Sequence, residues 1–314
     1  MQEKSVLSAN HASVLPHPPT RSLARVLANL PEGHGHRLRL AVPGWPGSAP
    51  GQFLMLGPGA EGGAVRRDPL LPRPMAIYRE LGARFSTEGA APEEAALEET
   101  AARGGAADER VIEVLFRVVG RGTALLADLR EADRVSLVGP LGRGFFQVDD
   151  EAAAAAPAGP ALLVGGGTGI ASLYEWARVL AAGGRAVTVL LGARSAGDLL
   201  GWSDFSALGI ELIGTTEDGS AGVTGLVTKP LEDRLRERTR ATVYAVGPTP
   251  MMRACAGLAE AYGARCYVSL EHPMACGFGV CLGCAAPRRA GGFALVCRTG
   301  PVFPAHEIDW AGLP

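Results

Sequence analysis

The chain has 314 residues, 47% of them hydrophobic and 20% charged, with a formal net charge of −2. That length allows two ordinary domains and a small third, and the composition supplies a buried core. Near-neutral charge leaves no basic stripe for a phosphate backbone, which argues against a nucleic-acid binder, and no apolar run is long enough to suggest a membrane helix.

Residues 1–20, ending in LPHPPT, are polar and proline-punctuated and read as a flexible tail. The stretch lacks an apolar segment after a basic one, so no signal peptide is expected and the protein is placed in the cytoplasm. Thiols stay reduced there, so clustered cysteines mean metal or redox chemistry rather than disulfides. Residues 21–150 carry the short β-like runs HRLRLAV, GQFLMLG, RPMAIYR, VIEVLFRVV and RVSLVGP. Their alternation predicts a small antiparallel β-barrel. Residues 80–110, rich in Ala and Glu, interrupt it and read as a solvated insertion, with a short helix at EEAALEETAA as the alternative. The run EAAAAAPAGP, residues 151–160, reads as a linker.

From about residue 158 to 270 the rhythm becomes strand, helix, strand. ALLVGGG is followed by GIASLYEWARVLAAGG, whose Ile170, Leu173, Ala177 and Leu180 share one face, and then by RAVTVLLGA. GIELIGTT, ATVYAVG and CYVSL are further strands, and TPMMRACAGLAEAYG is a helix with Thr249 as its cap, Pro250 at its first position and Gly263 as its stop. The alternation predicts a Rossmann-like α/β domain with a parallel sheet.

Gly165, Gly166, Gly167, Thr168 and Gly169 follow a strand and open that helix, where free amides and a favourable dipole suit a pyrophosphate. The GxGxxG frame is incomplete, with Ile170 at its third glycine position, and a purely structural tight turn remains an alternative. Arg73-Pro74-Met75-Ala76 leaves a proline-rich turn and enters a strand, so the arginine can pair with a phosphate while the backbone lies along a flat ring. A surface arginine beside a strand is the alternative. Gly120 to Ala124, GRGTA, is a second candidate phosphate contact.

Four of the six cysteines, Cys276, Cys281, Cys284 and Cys297, fall close together near the C-terminus. Only one C-x2-C pair is present, whereas zinc ribbons usually use two. C-x4-C-x2-C with a distant fourth cysteine matches a plant-type 2Fe-2S ligand set. Gly277, Gly279 and Gly283 between the ligands leave backbone amides free to approach sulfur. A zinc site or unrelated buried thiols are the alternatives; Cys255 and Cys266 read as packed core thiols.

Taken in order, RPMAIY, VVGRGTALL, VGPLGRGF, LLVGGGTGIASLYE, LGARSAGDL, YAVGPTPMM and SLEHPMACGFGVCLGC with CRTGPVF resemble the electron-transfer subunits of B-type dihydroorotate dehydrogenases, within the ferredoxin–NADP reductase superfamily. The likeness runs from about Arg21 to the end, and the cysteine block is its most specific part. It implies FAD in the barrel, NAD on the α/β domain and a 2Fe-2S cluster in residues 271–314. Its pattern puts Arg73, Pro74, Met75, Ala76, Leu115, Phe116, Arg117, Gly122 and Thr123 at the flavin. Gly165 to Gly169 with Gly247 and Pro248 would bind the dinucleotide. No residue is singled out as catalytic. Ala76 stands where the family usually has Ser or Thr, Val246 where the superfamily often has Cys, and Thr299 where Asp is common.

The resemblance implies half an enzyme, an oxidoreductase component of electron transport. An FMN-containing catalytic subunit would oxidise dihydroorotate in pyrimidine (UMP) biosynthesis, and electrons would pass through the 2Fe-2S cluster and FAD to NAD+. Two copies of each chain, a heterotetramer, are expected. The apolar Phe278, Val280 and Leu282 beside the cluster are candidates for the shared interface, with packing against the sheet as the alternative for Val280 above all. One rival is a related FAD and 2Fe-2S NAD(P)H oxidoreductase subunit, sulfide dehydrogenase-like or from an electron-bifurcating transhydrogenase, some of which replace a cluster cysteine by aspartate. A zinc-bearing, non-catalytic nucleotide-binding regulator is another.

Overall fold

The computed structural model describes residues 18–57, 60–61, 64–65, 68–81, 109–146, 159–237 and 240–313. Most of the tail, residues 82–108 of the expected 80–110 insertion and residues 151–158 of the linker lie outside the described residues, while residues 80–81 and 109–110 belong to strands rather than to an insertion. The first strand already begins within the expected tail. β1 (Thr20–Glu32) and β2 (Gly35–Pro43) form a hairpin, followed by β3 (Phe53–Leu56) and a two-stranded ribbon of β4 (Ala60–Glu61) and β5 (Ala64–Val65). β6 (Arg73–Ala76), β7 (Arg79–Leu81), β8 (Glu109–Phe116) and β9 (Arg134–Leu141) complete the N-terminal half.

The sheet order is β6-β3-β9-β1-β2-β8-β7. β6 and β7 stand at opposite edges, yet one short run of chain contains both. Residues 73–81 therefore pair β3 with their first half and β8 with their second, which curls the antiparallel sheet shut. Leu38, Leu40, Leu54, Leu56, Ile112 and Val114 alternate inward and fill it. Val118 and Val119 do not continue β8 as expected; they are exposed, and a short helix α1 (Arg121–Ala127) follows.

The second half is the expected α/β unit. β10 (Ala161–Gly166), β11 (Val187–Ala193), β12 (Glu211–Thr216), β13 (Val223–Thr224), β14 (Thr242–Val246) and β15 (Arg265–Ser269) are parallel in the order β13-β12-β11-β10-β14-β15. The order reverses between β10 and β14, a switch point where ligands bind outside the carboxyl ends of strands. The helix after β10 starts not as α but as a 3-10 turn, Gly167–Leu173, before α2 (Tyr174–Ala182). A Cβ at Gly169 would lie 2.7 Å from the Val246 carbonyl, so this tight turn presses directly on the end of β14. α3 (Trp202–Ala207), α4 (Thr228–Glu237) and α5 (Thr249–Ala261) complete the layers; α5 is capped by Pro248, one residue before the expected cap.

The C-terminal segment holds a small hairpin of β16 (Ala285–Pro287) and β17 (Phe293–Leu295), a helical turn α6 (Val296–Thr299) and β18 (Val302–Pro304). β18 adds antiparallel to β15, the one departure from parallel pairing among the described strands of that sheet. Cys284, Val296, Cys297 and Phe303 share one apolar cluster with Phe53 and Met55 of the barrel and Val164 and Val243 of the α/β sheet. Among the described residues no helix is long and apolar enough to cross a membrane.

Buried charge joins the two halves. Glu113 of β8 is fully buried and accepts from Arg39 at 2.6 and 2.8 Å and from Arg37 at 3.4 Å. Arg37 also reaches Glu32 at 2.6 Å and Asp204 of α3 at 2.6 Å, and Arg79 reaches Asp204 at 3.3 Å. Burial alone would favour neutral Arg37, but Glu32, Tyr78, Glu113 and Asp204 hold its guanidinium above the ordinary range. Removing one member strands the others. Glu113→Ala leaves guanidinium groups buried without their carboxylate and should destabilise the chain by about 3–5 kcal/mol. Chemical denaturation measures it, and a loss of about 1 kcal/mol or less, as for an exposed pair, would contradict it.

Candidate functional site

A cavity of about 710 Å³ opens where the curled sheet, the parallel sheet and the C-terminal segment meet. β6 forms one wall. Pro74 lacks an N–H, and it sits on an edge strand where none is needed. Arg73, Pro74, Met75 and Ala76 all line the cavity, as do Leu115, Phe116 and Arg117 from the end of β8. Arg73 donates to the Leu71 carbonyl, and its guanidinium lies under Gly122, where a Cβ would meet it at 2.2 Å. Gly122 is thus a close-approach position rather than a lining residue. Thr123 lines the cavity, and its hydroxyl oxygen accepts from the amides of Val119 at 2.9 Å and Gly120 at 3.1 Å, which fixes the first turn of α1.

The opposite wall comes from the sheet's switch point. Gly166, Gly167, Thr168, Gly247 and Pro248 line it. Gly167 is the glycine the site requires, with φ +56 and nothing within 4 Å of where a Cβ would stand. Gly165 and Gly169 lie behind the cavity wall, packed on Ile170 and on the Val246 carbonyl. Arg194 is exposed at the carboxyl end of β11, outside the cavity lining. Asp198, three residues after Ser195 in the same loop, is buried. Burial would raise its carboxyl, but His34, Ser195 and Arg117 outweigh that and hold it below the ordinary range. His34 and Arg117 each stand 3.2 Å from it, a second tie between the two halves.

The cysteine loop leaves the cavity through Ser269, Leu270, Glu271, His272, Pro273 and Met274, all of which line it. Sequence reasoning left Glu271 and His272 without a role, because an isolated acid or imidazole has no spacing to mark it. The sulfurs form two pairs. Cys284 Sγ lies 3.1 Å from Cys297 Sγ, and the Cys281 thiol hydrogen-bonds to Cys276. Burial opposes ionisation of Cys276, but the amides of Cys281, Phe278 and Val280 with the Cys281 thiol bring it down to about 6. Burial first, then Cys284 and Cys276, push Cys297 up to about 12. Among the described residues no three His, Cys, Asp or Glu side chains converge as ligands of one metal ion. Two pairs with amides directed at sulfur fit a two-iron group better than a single zinc, which needs four ligands about one point.

Cys255 is buried, its thiol pushed up to about 12 by desolvation, and Cys266 is raised further by the same cause. Both are packed thiols, as expected. Gly277 presses on β3, where a Cβ would come within 2.4 Å of Met55. β3 pairs with β6 at the edge of the curled sheet, so the cysteine loop presses on the strand next to the arginine-bearing wall. Phe278, Val280 and Leu282 are 53, 73 and 61% exposed, so packing against the sheet does not account for any of them, Val280 included.

Comparison with known proteins bears on this arrangement. Residues 271–309 match the model of the iron-sulfur cluster binding domain of dihydroorotate dehydrogenase B, and residues 163–257 match the oxidoreductase NAD-binding domain. The electron transfer subunit of dihydroorotate dehydrogenase B (NAD(+)) of Bacillus caldolyticus is 42% identical over 199 residues, 62% of this chain and 73% of that one. Its counterpart in Caldanaerobacter subterraneus is 38% identical over 204 residues, 64% of this chain and 76% of that one. Among solved structures, an NADH-dependent reduced ferredoxin-NADP oxidoreductase studied for flavin-based electron bifurcation superposes with a TM-score of 0.70 at 27% identity, over 92% of this chain and 91% of its own. An Amycolatopsis cytochrome P450 reductase shares the fold, with a TM-score of 0.59 at 24% identity over 81% of this chain and 70% of its own.

Cys281 is exposed, so its loss should spare the core. Cys281→Ala should abolish iron and sulfide binding while flavin stays bound, because three thiolates cannot complete a four-cysteine set. Cys255→Ala should keep both. Iron and sulfide analysis with absorption spectra decides, and a full cluster content in Cys281→Ala would overturn the ligand assignment.

Proposed function

The chain belongs to the family of dihydroorotate dehydrogenase B electron transfer subunits, and from that premise we propose that it carries electrons from dihydroorotate oxidation to NAD+. The observation that carries the reading is the single cavity that β6, the β10 glycine turn and the cysteine segment line together. In this reading FAD, NAD and a 2Fe-2S cluster are its cofactors. When bound, the flavin exchanges single electrons on one side for a hydride on the other. Everything else falls to the chain. Arg73, with Gly122 and Thr123 beside it, holds the flavin's pyrophosphate; Pro74, Met75 and Ala76 with Leu115, Phe116 and Arg117 flank its ring. Gly165 to Gly169, Gly247 and Pro248 seat the dinucleotide. Cys276, Cys281, Cys284 and Cys297 hold the cluster. The corresponding divisions of the chain are 21–150, 158–270 and 271–314.

Ala76 has no hydroxyl to offer a flavin, so any hydrogen bond there comes from backbone. The likeness to the bifurcating oxidoreductase extends over the same fold, but the curated relatives are more similar in sequence, and the four cysteines support the dihydroorotate reading.

An electron transfer subunit works with a catalytic partner. In the proposed assembly that partner holds FMN and two copies of each chain combine. Exposed Phe278, Val280 and Leu282 flank the exposed Cys281, the placement expected of a face across which electrons enter. The isolated chain should oxidise NADH with a dye and show no dihydroorotate oxidation. Adding the FMN-containing partner should create NAD+-linked orotate formation, and Leu282→Glu should weaken that coupling at least tenfold, as for loss of an apolar interface anchor. Turnover of dihydroorotate by the isolated chain, or no binding of the partner, would refute the assignment.

A further inference from the structure

Electrons that enter through cysteine-bound iron bring no proton, whereas a hydride handed to NAD+ carries one proton with two electrons. Each NADH formed by this route therefore requires two electrons and one proton to enter the cavity, the electrons through the cysteine loop and the proton from water. The described lining offers few carriers. Of its residues only Arg73, Arg117, Glu271 and His272 ionise. Arginine stays protonated throughout the working pH range, and Arg117 is tied to Asp198 at 3.2 Å.

Glu271 and His272 remain. They follow β15 directly, where Ser269 lies beside Val246 of β14 and the Leu270 amide donates to the Pro301 carbonyl at 2.9 Å. The backbone that carries the pair is thus pinned from the sheet and from the C-terminal segment. Glu271 stands at the mouth of the cavity, open to water on one side, while the protein crowded around its carboxyl raises it above the ordinary range. Burial is the whole cause of that shift; neither Arg73 nor Arg117, the cations sharing the cavity, nor the His272 imidazole pairs with it. His272 Nδ1 is buried without a hydrogen-bond partner among the described residues, a cost that a bound group or water would relieve.

We propose that Glu271, with His272 beside it, is the proton carrier of this site, loading from water at the cavity mouth and discharging inward once per hydride passed to NAD+. This rests on the functional reading above. A carboxyl with raised proton affinity stays loaded to higher pH than an exposed glutamate and empties as pH rises through its folded value. NAD+ reduction driven by a one-electron donor should therefore decline on an alkaline limb that belongs to Glu271.

The test uses the cofactor-loaded chain, with reduced methyl viologen as the one-electron donor to NAD+. Anaerobic stopped-flow reduction by NADH is the internal reference, because that hydride brings its own proton. In Glu271→Gln the viologen-to-NAD+ rate should fall about a hundredfold relative to the reference, the size of a general-acid contribution, and lose its alkaline limb. Glu271→Asp should restore part of both. Infrared difference spectra of the same protein should show a protonated carboxyl band that Glu271→Gln abolishes. Equal loss of both rates would mean a structural role and overturn the proposal, as would unchanged rates or a persisting band. If the unaltered chain passes no electrons from viologen to NAD+ at all, the functional reading fails and the proposal with it.

Discussion

Arg37 and Arg79 each span from Glu113 inside the barrel to Asp204 on α3, and every wall of the cavity depends on that crossing. Taking these charges out of water is costly, and their mutual attraction offsets the cost only when the remaining donors and acceptors are satisfied. Here they are well supplied. Tyr78 donates to Asp204 at 2.5 Å, and Glu32 accepts from the Gly201 amide at 2.5 Å and from Arg37 at 2.6 Å. Tyr78 and Tyr174, tilted to each other, and Tyr174 and Phe205, edge to face, pack alongside with ring centres 5.1 and 5.4 Å apart. A directional network of this kind admits one relative placement of the two halves, which apolar contact alone would not specify.

With that placement fixed, β3 brings the redox elements together. One of its two neighbours, β6, carries the arginine wall, and its Met55 side chain receives the cysteine loop at Gly277. The C-terminal segment is held at its far end by β18 on the edge of the parallel sheet. The loop is therefore fastened to both halves while its cysteine tip stays at the surface, with Cys281 exposed and Cys284 and Cys297 buried. One flank meets the cavity and the other meets solvent, which suits a segment that must exchange electrons in two directions.

Much of this was legible in the sequence where one physical rule dominated. Alternation marked β2, β3, β8 and β9, glycine and apolar runs marked β10, β11 and β14, and cysteine spacing marked the metal loop. β1 escaped notice because its register shifts between Val26 and Ala28, which breaks the alternation a strand is read by. The α1 helix was not marked because GRGTA, read as a candidate phosphate contact, opens on glycines, and α4 buries only Pro230, Leu231 and Leu235 in a charged stretch. The barrel closure through residues 73–81 and the Glu113 network join residues far apart in the chain, and no local pattern encodes them. The same holds for Glu271 and His272, which gain meaning only from the cavity that folding builds around them.

If electrons move between the dinucleotide and the cysteine loop by way of the β6 wall, the flavin must be reduced before the cluster. Anaerobic rapid mixing of the cofactor-loaded chain with NADH, followed at flavin and iron–sulfur wavelengths, resolves that order. Flavin absorbance should fall first and iron–sulfur absorbance follow, and removing FAD should abolish the second change. Bleaching of the iron–sulfur bands by NADH in flavin-free protein, or their persistence after the flavin bands have gone, would contradict it.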